Sequence, residues 1–158
     1  MYQSNIAKSL GIATAALFIL TSSVASQSQQ KPAKELIQGK WTLMIADNVR
    51  REGGNVPGFG PLPKGNATFS ADGHYSFEVT PSTGNQQGIS ASGTYTLDGA
   101  GKALSLKVEE SSIPNWNGTT QTASVKFVSG DHLGWTTAAP LTASADFTGT
   151  ELIWARSK

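Results

Sequence analysis

HYSFEVTPSTGNQQGISASGTYTLDGAGKALSLKVEE, residues 74–110, is the stretch that decides the fold. Three runs in it alternate apolar with polar: Tyr75, Phe77 and Val79; then Ile89, Ala91, Tyr95 and Leu97; then Leu104, Leu106 and Val108. An apolar residue at every second position is the period of a strand that buries one face. The DGAG between the last two runs is hairpin chemistry, because Asp and Gly accept the backbone angles that tight turns require.

The same grammar extends in both directions. Downstream, TQTASVKFV ends at SGD, HLGWTTA follows, and TELIWAR closes the chain, with Val125, Phe127, Leu133 and Trp135 on the apolar parity. Upstream, NATFS leads through Ala71, Asp72 and Gly73 into the first of the three runs. Earlier still, GKWTLMIADN sets Trp41, Leu43 and Ile45 against Thr42, Met44 and Ala46, which predicts that the first set is covered. These are eight strands. No stretch after residue 40 carries a 3.6-residue apolar stripe, and the only helix expected is a turn around residues 33–37.

Eight antiparallel strands joined by hairpins leave two edges to hide, and closing the sheet on itself removes both. The expected fold is therefore all-β, an eight-stranded up-and-down antiparallel barrel; a β-sandwich is the alternative that short regular strands also suit. A barrel of this size is either filled by side chains or holds one small ligand. Ala91, Gly93, Ala123 and Gly134 fall at or near the wall and predict free room inside.

Residues 49–65, VRREGGNVPGFGPLPKG, carry five Gly and three Pro. Such a segment is expected to hold no regular ladder and to serve as a flap or stay without order. Residues 1–25 read as a signal peptide: Lys8 precedes an apolar run from Leu10 to Leu20, and Ser23 and Ala25 supply the small residues of a cleavage site. That run is too short to cross a bilayer core that needs roughly 20 residues, so a permanent anchor is disfavoured. Residues 26–35 read as a flexible N-terminal tether, and residues 36–158 as the barrel domain. The expected location is outside the cytoplasm, periplasmic or extracellular.

Cleavage after Ala25 leaves 133 of the 158 residues, which suits one core. It removes Lys8, so eleven basic residues face eleven acidic ones. A formally neutral chain is not steered to nucleic acid or to an anionic bilayer. With no Cys there is neither a disulfide nor a lipid-modified cysteine, and stability must come from burial and strand pairing. The oligomeric state is left open.

Five blocks in order resemble the bacterial and fungal lipocalin-like domain family, over residues 36–156. They are LIQGKW, with Gly39 and Trp41 as a GxW start; FGPLPKGNATFSADGHYS, with Phe59, Gly60, Pro63, Gly65, Asp72, Gly73 and Ser76; GTYTLD; SSIPNWNGTTQ, with Ser111, Pro114, Asn115, Trp116, Gly118 and Thr119; and LIWAR, with Trp154 and Arg156. The resemblance implies a calycin-type barrel closed at one end by Gly39, Trp41, Trp154 and Arg156, with the basic residue lying across the indole of Trp41. An Arg over an indole is favourable by roughly 0.5–2 kcal/mol. The family pattern gives no motif for AAPLTASADFTG after the HLGWTTA strand, so its part in a pocket is open.

Catalytic and metal chemistry find little support. The chain has only His74 and His132, each after a turn and on the polar parity, without metal-ligand spacing. No GxSxG is present, and Asp72 and Asp131 beside the histidines are explained by hairpin turns. Glu109 and Glu110 read as a solvated strand end. DGAG and REGG precede no helix that could cradle a phosphate. Neither a catalytic residue, a metal nor a cofactor is assigned.

Pro114 must end its strand, and Asn115 and Asn117-Gly118 turn the chain back, which holds Trp116 at a barrel end as either a plug or an aromatic lid. The expected pocket wall is Phe59, Tyr75, Phe77, Tyr95, Trp116, Phe127 and Trp135, apolar bodies with few polar tips. The function expected is binding of a small, mainly apolar molecule in the barrel interior. An isomerase or cyclase on the same barrel, and a module with a filled core, are the alternatives.

Overall fold

A computed structural model of the chain describes residues 31–158, apart from 85 and 143. The expected signal peptide and residues 26–30 of the expected tether lie outside the described residues. A one-and-a-half-turn helix, α1 (Ala33–Ile37), precedes nine strands: β1 (Gly39–Arg50), β2 (Asn55–Pro57), β3 (Lys64–Phe69), β4 (His74–Thr80), β5 (Ile89–Leu97), β6 (Ala103–Ser111), β7 (Thr120–Ser129), β8 (His132–Thr137) and β9 (Phe147–Arg156). From β3 to β9 each strand pairs antiparallel with the next, and β1 pairs with both β3 and β9. That double pairing closes an eight-stranded barrel and leaves β2 as an extra strand on the upper half of β1.

The alternation read from residues 74–110 becomes the barrel wall. Tyr75, Phe77, Val79, Ile89, Ala91, Tyr95, Leu104, Leu106 and Val108 are buried, whereas His74, Ser76, Glu78, Ser90 and Lys107 are exposed. An irregularity sits here: Ser92 pairs with Glu110 but Gly93 pairs with Val108, so Glu109 is left unpaired in a β-bulge. A Cβ on Gly93 would collide with the carbonyl oxygen of Lys107. Only glycine lets the two strands approach this closely.

β1 departs from the expected alternation. Leu43 pairs with Trp154 and Ile45 with Ile153, so Met44 is an extra residue in the ladder. One inserted residue exchanges inside for outside beyond it, because side chains alternate strictly along a strand. Ile45, expected to be covered, is 42% exposed, while Ala46, expected outside, is buried. The inversion also turns Asn48 into the barrel, where it is 3% exposed.

The flap, too, is more ordered than its Gly and Pro content suggested. Asn55, Val56 and Pro57 pair with Val49, Asn48 and Asp47, a short ladder on a free edge where a proline does no harm. The helix begins at Ala33, inside the segment read as a tether, and a Cβ on Gly101 would collide with that of Ala33. Among the described residues no helix is long and apolar enough to cross a membrane.

Candidate functional site

The hairpin connections sort into two ends. The floor carries α1, the start of β1 and the turns after β3, β5 and β7; the mouth carries the flap, the turns after β4 and β6, and residues 138–146.

The floor is sealed. The Arg156 guanidinium carbon lies 4.2 Å from the centre of the Trp41 ring. Its nitrogens donate to the carbonyls of Gln38 and Leu36 at 2.8 Å each and of Gly130 at 3.1 Å, and the indole of Trp41 donates to Ile37 at 2.8 Å. Gly39 has φ +121°, and a Cβ there would lie 2.8 Å from the Arg156 Nη1. Glycine thus leaves the space that the guanidinium fills. Trp154 sits one layer further in, tilted against Trp135 at 5.1 Å between ring centres.

Above the floor the lumen is filled by rings. Trp135 meets Phe69 and Phe77 edge-on at 5.6 and 5.7 Å, Phe69 meets Tyr95 at 5.0 Å, and Tyr75 stacks on Phe77 at 6.3 Å. The room expected from the small wall residues is therefore occupied. Gly134 contributes none of it, since it lies on the outer parity with Ile153 over it, 3.2 Å from where a Cβ would be. Tyr95 donates its hydroxyl to Ser70 at 3.0 Å, but the Tyr75 hydroxyl and the Trp154 indole N–H are buried without a partner among the described residues. Burial, helped by the charge of Glu109, pushes the Tyr75 hydroxyl up to about 12.

Toward the mouth two spaces remain. An inner void of about 20 Å³, enough for one water, lies beside Phe77, Leu106, Trp116, Ala123, Trp135 and Leu141. Among the described residues, none of the side chains around it is ionisable. Outside it a cleft of about 300 Å³ has a floor of Phe59, Ile89, Ile113 and Leu141 and a polar rim of Gln86, Gln87, Ser112 and Thr142. Leu141 borders both spaces. A larger surface cleft of about 410 Å³ between Arg50–Glu52 and Ala145–Phe147 mixes charges of both signs and shares no residue with either.

The expected pocket residues thus divide. Phe77, Trp116 and Trp135 border the void and Phe59 borders the outer cleft, whereas Tyr75, Tyr95 and Phe127 border neither. Phe59 is fully buried, so it plugs the mouth instead of covering it as a loose lid. Its carbonyl accepts from the Ser82 N–H at 2.9 Å, and Gly58 N–H donates to Ala46 at 3.0 Å, which pins the flap on two sides. Trp116, in a 3₁₀ turn at Pro114–Trp116, is partly buried against the core.

Reasoning from sequence missed Leu141, Ile113, Asn48 and Thr150. Asn48 and Thr150 are the buried polar residues among those described. Thr150 donates to Asn48 Oδ1 at 2.9 Å and accepts from the Leu141 N–H at 2.9 Å, while Asn48 Nδ2 donates to Thr142 at 2.7 Å. Gly58 packs on this asparagine, where a Cβ would lie 2.8 Å from Cγ. The signal for Asn48 was its parity, which the bulge at Met44 reversed.

Both histidines belong to the floor end. His74 pairs with Asp72 at 3.2 Å in an exposed turn, and His132 Nδ1 lies 3.2 Å from Ser129. Asp72 is held near 2, chiefly by the Ser70 hydroxyl. Glu78 faces outward and accepts from Asn66 at 3.1 Å. Among the described residues no three His, Asp or Glu side chains gather as a metal site would need.

No family model matches the sequence, nor does any curated protein. Among solved structures the chain is similar to a redesigned β-barrel, at 12% identity and TM-score 0.46, over 83% of this chain and 100% of that one. It is similar to a de novo designed fluorescence-activating β-barrel at 11% identity and TM-score 0.46, over 81% and 100%. A redesigned β-barrel bound to DFHBI matches at 13% identity and TM-score 0.44, over 80% and 100%.

Proposed function

We propose that this protein is an exported, lipocalin-like barrel that binds a small, mainly apolar molecule at its mouth. The observation that carries the reading is the outer cleft: four apolar side chains, Phe59, Ile89, Ile113 and Leu141, under a rim of amides and hydroxyls. Small-molecule sites have this composition, with an apolar body and a few orienting polar groups. At about 300 Å³ the cleft suits a small guest. The Arg156–Trp41 stack at the floor and the signal-peptide anatomy of residues 1–25 support the family and the export assignments. Binding is favoured over isomerase or cyclase chemistry because, among the described residues, no acid or base borders the void.

Titration with anilinonaphthalene sulfonate tests the reading. Saturable binding of one dye per chain is expected, weakened about tenfold or more by Ile113→Asp, since about 1.4 kcal/mol is a factor of ten. Native mass spectrometry of the protein purified without denaturation is expected to show a retained small molecule. No saturable dye binding and no retained mass would leave the second reading, a module with a filled core. The small size of the inner void is what favours that alternative.

A further inference from the structure

We propose that Leu141 is a gate between the outer cleft and the inner void, and that Asn48 is its latch. The inference rests on the binding reading for its purpose but not for its geometry. Leu141 is 7% exposed and is the apolar side chain that the cleft floor and the void wall share. In the same stretch Ala139 borders only the void and Thr142 only the cleft, so Leu141 stands between the two. Swinging that leucine outward joins the surface cleft to the void that Trp135 also borders.

Three hydrogen bonds hold the leucine in. Asn48 donates to Thr142 at 2.7 Å, Thr150 donates to Asn48 at 2.9 Å, and the main-chain N–H of Leu141 donates to Thr150 at 2.9 Å. Asn48 and Thr150 stand on the paired strands β1 and β9, opposite each other in register, so the fixed half of the latch belongs to the rigid wall. Thr142 and Leu141 are the moving half. Phe59 is held differently, through its own main-chain bond to the turn after β4 and that of its neighbour Gly58 to β1, and stays as the other jamb. A latch of neutral hydrogen bonds, each of modest net strength, suits an element that opens locally while the barrel remains folded.

Hydrogen exchange on the full chain tests this without any ligand. In Asn48→Ala, and in Thr142→Val in case the first variant folds poorly, the amide of Leu141 is expected to exchange about tenfold faster, while those of Trp135 and Leu152 in the neighbouring ladder keep their rates. Unchanged exchange in the loop overturns the proposal, as does an equal rise in loop and ladder, which would make Asn48 a general stabiliser. Stopped-flow mixing with anilinonaphthalene sulfonate is the second arm. Faster association in Asn48→Ala, whose side chain borders neither space, supports the gate, and an unchanged rate despite faster loop exchange overturns it. If neither protein binds the dye while loop exchange follows the latch, the gate stands and the binding reading falls.

Discussion

The guanidinium carbon of Arg156 lies over the indole of Trp41, 115 positions away in the chain, at 4.2 Å from the ring centre, and the pair seals the barrel floor. Each also binds the main chain that leads into β1, Arg156 at Leu36 and Gln38, Trp41 at Ile37. Replacing Arg156 by Ala removes the stack and leaves two partly buried carbonyls without donors. The expected loss is about 2–4 kcal/mol, read as a lower urea midpoint at unchanged slope. Arg156→Lys is expected to recover less than half of it, because an ammonium cannot reach the carbonyls as a fork. A variant within about 0.5 kcal/mol of the parent would show that the floor is held by other contacts.

The bulge at Met44 makes a pair of opposite outcomes at adjacent positions. Ile45 is 42% exposed, so Ile45→Lys is expected to change stability by no more than about 0.5 kcal/mol. Ala46 is 1% exposed, and Ala46→Lys buries a charge without a partner, at a cost of several kcal/mol. Thermal unfolding of the two variants decides between the bulged register and the plain alternation, which predicts the reverse order.

Tyr75 carries a pH dependence. Its hydroxyl titrates near 10 in the unfolded chain and is pushed up to about 12 in the barrel, so between these values the folded state holds the proton that the unfolded state has lost. Its contribution is complete below pH 10 and disappears as pH rises toward 12, by about 2–3 kcal/mol from the cost per pKa unit. Tyr75→Phe is expected to flatten this decline and, by removing a buried hydroxyl with no partner, to leave stability at pH 8 equal or higher. Urea unfolding of both proteins at pH 8 and pH 11.5 gives the difference; parallel declines would place the titrating group elsewhere.

At the floor turn, Asp72 is held near 2 first by the Ser70 hydroxyl, then by the main chain and ring of His74. Ser70→Ala is expected to raise the carboxyl toward its ordinary value, since the Ser70 hydroxyl is the largest of the causes that lower it. A folded pKa below the unfolded one stabilises above the unfolded value and is lost as pH falls through the folded value, here from 3.8 to about 2. Carboxyl chemical shifts followed by NMR read it directly. No movement in Ser70→Ala would assign the effect to the main chain.

The strands of residues 74–110 were legible because each of them buries one face and exposes the other, and hairpins keep partners adjacent in sequence. β1 was legible only as far as Leu43. An inserted residue leaves the composition of a strand unchanged and reverses which half of it is inside, so Ile45 and Ala46 were assigned to the wrong sides. The mouth was the least legible region. Leu141 lies in a stretch without periodicity, and its place at the rim follows from contacts with β1 and β9, not from its neighbours.

Local patterning by itself determined that this chain is a procession of amphipathic strands whose edges must be hidden, because a period of two and a set of tight turns act over a few residues. Whether the enclosed space is hollow was a tertiary decision. Small residues in the wall admit rings from the opposite wall as readily as a guest, and packing at near-crystal density favours filling space that side chains can reach. Rings from β3, β4, β5, β8 and β9 meet around Trp135, and only their convergence moved the remaining free space to the mouth.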